Sequence, residues 1–286
     1  MKHPALLLIF IFIFPVCSLR SQNRSIQFVE KPFIEIISIA KKQNKMIFMD
    51  AYTTWCGPCK WIAAKIFTND TIADLYNKEF ICCHFDMEKG EGLELAVKYQ
   101  VKAYPTLLFI NPEGQVIHLR VGAPRKVQDY IDMAQVAKTP GAGYTAYMEQ
   151  YRQGNRDPQF MLQYFDRLQG AYQPVNEPLK QYFDAVPEAE IFDKINWKIF
   201  ELYSWDVDSR IFQLALKNKP KLDSLYTPVI VNTKINGVFA QALYALSRSR
   251  NFNEANYTAL KQKILNSGID EAPRIIKEFE STMQKH

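Results

Sequence analysis

"TTWCGPCKW", Thr53–Trp61, sets two cysteines two residues apart with Gly57 and Pro58 between them. Such a pair can hold a metal, staple a fold or exchange electrons with another disulfide. The stretch before it, "MIFMDAYT", is a short apolar run of the length of a buried strand, and "CKWIAAKIF" after it continues at helical spacing. The cysteines therefore stand where a strand turns into a helix. A helix start offers unpaired N–H groups and the positive end of the helix dipole, which stabilise a thiolate. Cys56 is the expected nucleophile, with a pKa below the free-thiol value of about 8.5. Cys59, one turn into the helix, is placed to attack a mixed disulfide on Cys56 and release a reduced substrate. Pro58 takes an early helical position, where its missing N–H costs little.

The two other readings of the pair are weaker. A metal site needs a second ligand pair at a finger-like separation, and Cys82, Cys83 and His84 are the only candidates. Adjacent residues on a strand point to opposite faces, so they chelate poorly, and no metal is expected. A permanent structural disulfide between Cys56 and Cys59 would close too small a loop to stabilise much. Redox exchange is the expectation, with no cofactor beyond the Cys56–Cys59 pair. Cys82 and Cys83 are expected to pack in the core, since a vicinal disulfide would be a strained ring.

Working outward, "KPFIEIISIAKKQNK" from Lys31 reads as a helix with Pro32 in its first turn. Asp70 can cap a helix through "TIADLYNK", which a strand at "FICCHFDM" follows. "LELAVKYQV" reads as another helix, "PTLLFI", "NPEG" and "QVIHLRVG" as a hairpin, and "RKVQDYIDMAQVA" as a closing amphipathic helix. Crossover units combined with a hairpin predict an α/β fold, a mixed central sheet with helices on both faces.

"WCGPCK", Trp55–Lys60, resembles the active-site motif of the thioredoxin family, flanking Trp and Lys included. Asp50, six residues before Cys56, falls where thioredoxins carry a buried acid. "YPT", Tyr104–Thr106, resembles the loop bearing the family's cis-proline, here Pro105. Gly122 in "RVGAP" matches the glycine that lets a substrate approach. The resemblance covers roughly residues 28–138 and implies a thioredoxin-like fold and thiol–disulfide exchange. It assigns Cys56, Cys59 and Asp50 to catalysis and Trp55, Tyr104, Pro105 and Gly122 to substrate binding, with Gly57, Pro58, Lys60 and His84 in support. A carboxylate buried in an apolar strand has a raised pKa, so Asp50 can take the proton from Cys59. One departure stands out. Many thioredoxins have a lysine near the buried acid, and His84 occupies that place; it either tunes the Asp50–Cys59 proton transfer or is an edge-strand histidine without a role. The run through "IFTNDTIADLYN" to "NPEGQV" resembles exported branches, among them the C-terminal domain of membrane-spanning thiol:disulfide interchange reductases.

The chain's 286 residues suffice for two domains, and 48% hydrophobic with 23% charged residues is a globular composition. Of the formal charge of +5, Lys2 and Arg20 belong to the N-terminal segment. The near-neutral remainder gives no case for nucleic acid as a partner. Lys2 and His3 precede "ALLLIFIFIFPV", an apolar run short of the roughly 20 residues that span a bilayer. With the small and polar residues that follow, residues 1–21 read as a signal peptide, cleaved after Ser18 or Ser21. An uncleaved anchor or lipidation at Cys17 fits less well. Export to a bacterial periplasm is the expectation.

"KTPGAG", Lys138–Gly143, is a linker by composition, 139–143 at its heart. Residues 144–286 then read as an all-helical accessory domain. Tyr144, Tyr147 and Tyr151 share one helical face, and Trp197, Phe200 and Leu202 fall near another; such stripes more often make core than groove. No repeat, metal cluster or nucleophile motif occurs there. The functions implied are a reductase of disulfides in client proteins, fed by a membrane thiol reductase, or an oxidase or isomerase of the same fold, in which the helical domain supplies a homodimer interface. A third is a client-binding or chaperone module in which the helical domain dominates.

Overall fold

In the computed structural model, which describes residues 24–250 and 252–283, the first half of the chain runs through nine elements in the expected order. They are α1 (Phe33–Gln43), β1 (Met46–Tyr52), α2 (Gly57–Lys65), α3 (Asp70–Glu79), β2 (Phe80–Asp86), α4 (Gly92–Lys98), β3 (Thr106–Ile110), β4 (Val116–Val121) and α5 (Val127–Lys138). The leader assigned to residues 1–21, Cys17 included, lies outside the described residues.

The strands form one sheet in the order β2-β1-β3-β4, with β1 parallel to β2 and antiparallel to β3. This is the mixed sheet that crossover units plus a hairpin require. Alternation along β1 divides the core. Phe48 faces Ile62, Tyr76, Phe109 and Tyr130 on one side, while Ile47 and Met49 face Ile36, Leu108 and Ile110 on the other. Each such fully buried side chain contributes about 1.5–3 kcal/mol. Cys82 and Cys83 divide the same way, one to each face, and both are free thiols. Asn69 rather than Asp70 caps α3, its side-chain oxygen accepting the Ile72 N–H at 3.2 Å. Asp70, displaced into the first turn, accepts the Arg24 N–H instead.

The second half is helical throughout: α6 (Tyr144–Arg152), α7 (Pro158–Gly170), α8 (Asn176–Ala185), α9 (Lys194–Tyr203), α10 (Arg210–Lys217), α11 (Lys219–Tyr226), α12 (Pro228–Ser247), α13 (Glu254–Leu265) and α14 (Ala272–Met283). Its core is aromatic. Tyr147 stacks on Phe160 and Tyr151 on Tyr164, with ring centroids 5.1 and 4.2 Å apart. Trp197 and Phe200 are buried on α9, but Leu202 is 41% exposed. A residue five positions beyond Trp197 has turned well off that face of a 3.6-residue helix.

The halves meet along β4, an edge strand of the sheet. Thr145 Oγ1 donates toward the Val116 and Ile117 carbonyls (2.7 and 2.9 Å), so the start of α6 covers the edge. Gly143 comes so close that a Cβ there would stand 2.3 Å from the Ile117 carbonyl oxygen. Arg167 of α7, buried at the seam, donates from Nε to the Ala142 carbonyl.

Candidate active site

β1 ends at Tyr52 and α2 begins at Gly57, so four residues make the turn that presents the cysteines. Cys56 is the N-cap of α2, and its Sγ accepts the Cys59 N–H at 3.1 Å. One of the orphan donors of a helix start thus points at the sulfur, as a thiolate there needs. Pro58 sits in the first turn, and Gly57, Pro58 and Lys60 are exposed. Cys56 and Cys59 are joined in a disulfide, with 3% and 4% of their surface exposed.

Asp50 lies on β1 with 4% of its surface exposed, on the sheet face that α2 covers. Burial pushes its carboxyl up from 3.8 to about 7. Its Oδ1 and the Thr53 hydroxyl are buried without a hydrogen-bond partner among the described residues. Both residues line a cavity of about 430 Å³ that also takes in Cys59, Lys60, Tyr52 and His84. A carboxyl poised near neutrality in the same cavity as the second cysteine is placed to exchange a proton with it.

His84 stands beside Asp50 in the β1–β2 register, at the rim of this cavity. Its ring stacks on Phe28 (centroids 4.5 Å apart), and Nε2 lies 2.6 Å from Glu30 Oε1. Glu30 sits in no pattern that could have marked it from sequence; only the return of the N-terminal segment along β2 brings it there.

The other candidates gather around Trp55, the residue before Cys56, and the loop at Tyr104 and Pro105. The Tyr104–Pro105 peptide bond is cis, and the Pro105 carbonyl accepts the Gly122 N–H at 2.8 Å. Gly122 has φ +92°, a conformation that favours glycine. Trp55 is 65% exposed, with its ring edge-on to Tyr104 and its Nε1 donating to Glu88 Oε2 at 2.8 Å. Glu88 is a second residue that sequence reasoning missed. It lies past the end of β2, and nothing in "FDME" signals that it fastens the tryptophan.

Among known proteins, the thioredoxin family profile matches residues 26–133. Thioredoxin H3 of Arabidopsis thaliana is 32% identical over 92 residues, 32% of this chain and 72% of that protein. Thioredoxin-1 of Caenorhabditis elegans is 33% identical over 93 residues, 71% of its length. The chain spans about half the length of Thioredoxin-T of Drosophila melanogaster (47%, at 35% identity) and 64% of that organism's Thioredoxin-1. Among solved structures, a candidate disulphide-isomerase from Bacteroides thetaiotaomicron is 42% identical over 41% of this chain and 94% of its own, with a TM-score of 0.36. With the motif, the element order and relatives above 30% identity over more than two thirds of their length, the chain belongs to the thioredoxin family, whose members are thiol–disulfide oxidoreductases.

Proposed function

We propose that the whole protein is an exported thiol–disulfide oxidoreductase that reduces disulfides in client proteins. The observation that carries this reading is the shared cavity of Asp50, its carboxyl raised to about 7, and Cys59, behind a nucleophile at a helix start. The Cys56 thiolate attacks one sulfur of a client disulfide. A bond forms between Cys56 and that sulfur, and the other client sulfur leaves as a thiolate. Asp50 then accepts the Cys59 proton, and the Cys59 thiolate attacks Cys56 Sγ. The client departs as a dithiol once its thiolates are protonated, and the two electrons it gains leave the Cys56–Cys59 disulfide behind. The cycle calls for no bound cofactor. Trp55, Tyr104, Pro105 and Gly122 form the rim against which the client segment lies, main chain to main chain.

Export follows from the reading of residues 1–21. An oxidising compartment would trap the pair as a disulfide, so a membrane thiol reductase is the electron donor we propose. Gly57-Pro58 between the cysteines, as in reducing thioredoxins, favours this direction. The isomerase reading draws on exposed Leu225, Val229 and Ile230 around the start of α12, a surface through which two copies could pair. Equilibration of the Cys56–Cys59 pair against dithiothreitol or glutathione, with thiols counted by mass tagging, separates the two. A potential below about −230 mV supports the reductase, and one of about −120 to −180 mV replaces it with an oxidase or isomerase.

A further inference from the structure

A groove of about 700 Å³ runs along the outer part of the sheet between the two halves. One wall comes from the end of α4 and the loop after it, with Lys98, Tyr99 and Lys102; its floor is Val116, Leu119 and Val121 of β4. The opposite wall is built entirely by the helical half, from Tyr144 and Thr145 at the start of α6 and from Ala171 to Gln173 after α7.

Three features point to an occupant. The groove opens at the rim proposed to bind clients. Ala103 and Thr106, which flank Tyr104–Pro105, line it, as does Val121, next to Gly122. Its charge is of one sign, because its lining holds two lysines and no carboxylate, and neither lysine has an ion-pair partner among the described residues. Lys98 Nζ rests over the Phe33 and Tyr99 rings, which keeps a positive charge at the groove wall. Finally, Tyr172 stands 80% exposed on a residue with φ +57°, a backbone conformation costly for any non-glycine residue. A large aromatic held out over an open groove buries little in the free protein and offers a face to a ligand.

We propose that the helical half builds the second wall of a client groove, and that the groove takes an extended acidic segment of the client's chain flanking its disulfide. This rests on the oxidoreductase reading above. A segment lying along β4 advances about 3.3 Å per residue, so the strand's length accommodates about six residues. Lys98 and Lys102 read its charge, Tyr172 and Tyr144 pack on its side chains, and the amides of Gln100, Gln115 and Gln173 face its backbone.

The test uses the full chain, dithiothreitol as reductant, and two synthetic peptides with the same disulfide. One carries four acidic residues on each side of a cysteine; the other carries the matching amides. Bis(2-hydroxyethyl) disulfide serves as a small uncharged substrate. The expected result is a kcat/KM about tenfold higher for the acidic peptide at low salt, shrinking toward parity at 0.5 M salt. In the Lys102→Glu, Tyr172→Asn double variant the ratio of the two peptides should fall to about one. Equal kcat/KM for both peptides in the unaltered chain overturns the groove, as does an acidic preference that survives high salt and the double variant. Failure to turn over even the small disulfide overturns instead the oxidoreductase reading beneath it.

Discussion

Asp50 and His118 sit on neighbouring parts of one sheet, and burial moves them in ways that pull stability in opposite directions. The Asp50 carboxyl rises to about 7, so between pH 4 and 7 the folded chain holds a proton that the unfolded chain has released. Stability from this group is therefore fullest at about pH 4, falls as pH rises through the window and is flat above it. His118, 5% exposed on β4, is pulled down to about 3 by burial, with Arg167 and Arg120 adding to the shift. Below pH 6.5 the unfolded imidazole binds a proton that the folded one refuses, so this group's effect is a loss of stability as pH falls toward 3. Between pH 4 and 6.5 the two slopes oppose each other. Unfolding free energies from urea titrations across pH 4–8 should show Asp50→Asn matching the unaltered chain near pH 4 and exceeding it at pH 8 by on the order of 4 kcal/mol. His118→Leu should steepen the fall between pH 4 and 6.5. A difference for Asp50→Asn that stays constant with pH would place the carboxylate in water rather than in the core.

At the scale of elements, the first half was readable because its signals are local. "MIFMDAYT", the motif and "CKWIAAKIF" form one continuous strand–turn–helix, and β1 therefore carries Asp50 to Cys59 without help from distant residues. The cap of α3 goes to Asn69, whose extended backbone (φ −79°, ψ 124°) suits an N-cap, while its neighbour Asp70 is already the first helical residue and accepts the Arg24 N–H. Nothing local marks Lys234 in the middle of α12. It is 4% exposed, its Nζ donates to the Glu201 and Ser204 carbonyls at the end of α9 (3.0 and 2.5 Å), and it lies 3.6 Å from the centre of the Trp205 ring. Here a lysine closes the C-terminus of another helix, a role that exists only once α9 and α12 have packed. Burial draws its pKa down from 10.5 to about 7. From pH 7 to 10.5 the unfolded lysine keeps a proton that the folded one has shed, so stability rises with pH across that window. Lys234→Met leaves two helix-end carbonyls without a donor and should cost about 1–3 kcal/mol near pH 7. The variant should also lack the alkaline rise, which thermal unfolding at pH 7, 8.5 and 10 would detect. A variant as stable as the parent at all three would mean that those carbonyls find other donors.

For the whole molecule, the question is whether the two halves unfold as one. Composition alone marks a linker at "KTPGAG", since glycine and proline in a short run usually signal a loop, and says nothing of how it joins the halves. In three dimensions Gly143 presses on the Ile117 carbonyl, Thr145 satisfies the exposed edge of β4, and Arg120 of β4 packs on Gly170 of α7. That seam depends on pairings between residues some 28 positions apart, a separation at which sequence periodicity carries no information. A joint of this kind, with a strand edge covered and a buried Arg167 tied to the Ala142 carbonyl of the linker, is expected to couple the halves as parts of one cooperative unit. The four tryptophans fall two to a half, Trp55 and Trp61 in the first, Trp197 and Trp205 in the second, so paired Trp→Phe variants can report on each half alone. Urea transitions followed by the two reporters should coincide in the parent chain. Gly143→Val forces a side chain into the Ile117 carbonyl, pushes α6 from the edge of β4, and should separate the transitions. It should also lower the preference for acidic peptides, because the second wall of the groove moves with α6. Coincident transitions in Gly143→Val would show that the coupling runs elsewhere, and separate transitions in the parent would make the halves independent bodies with a groove of variable width.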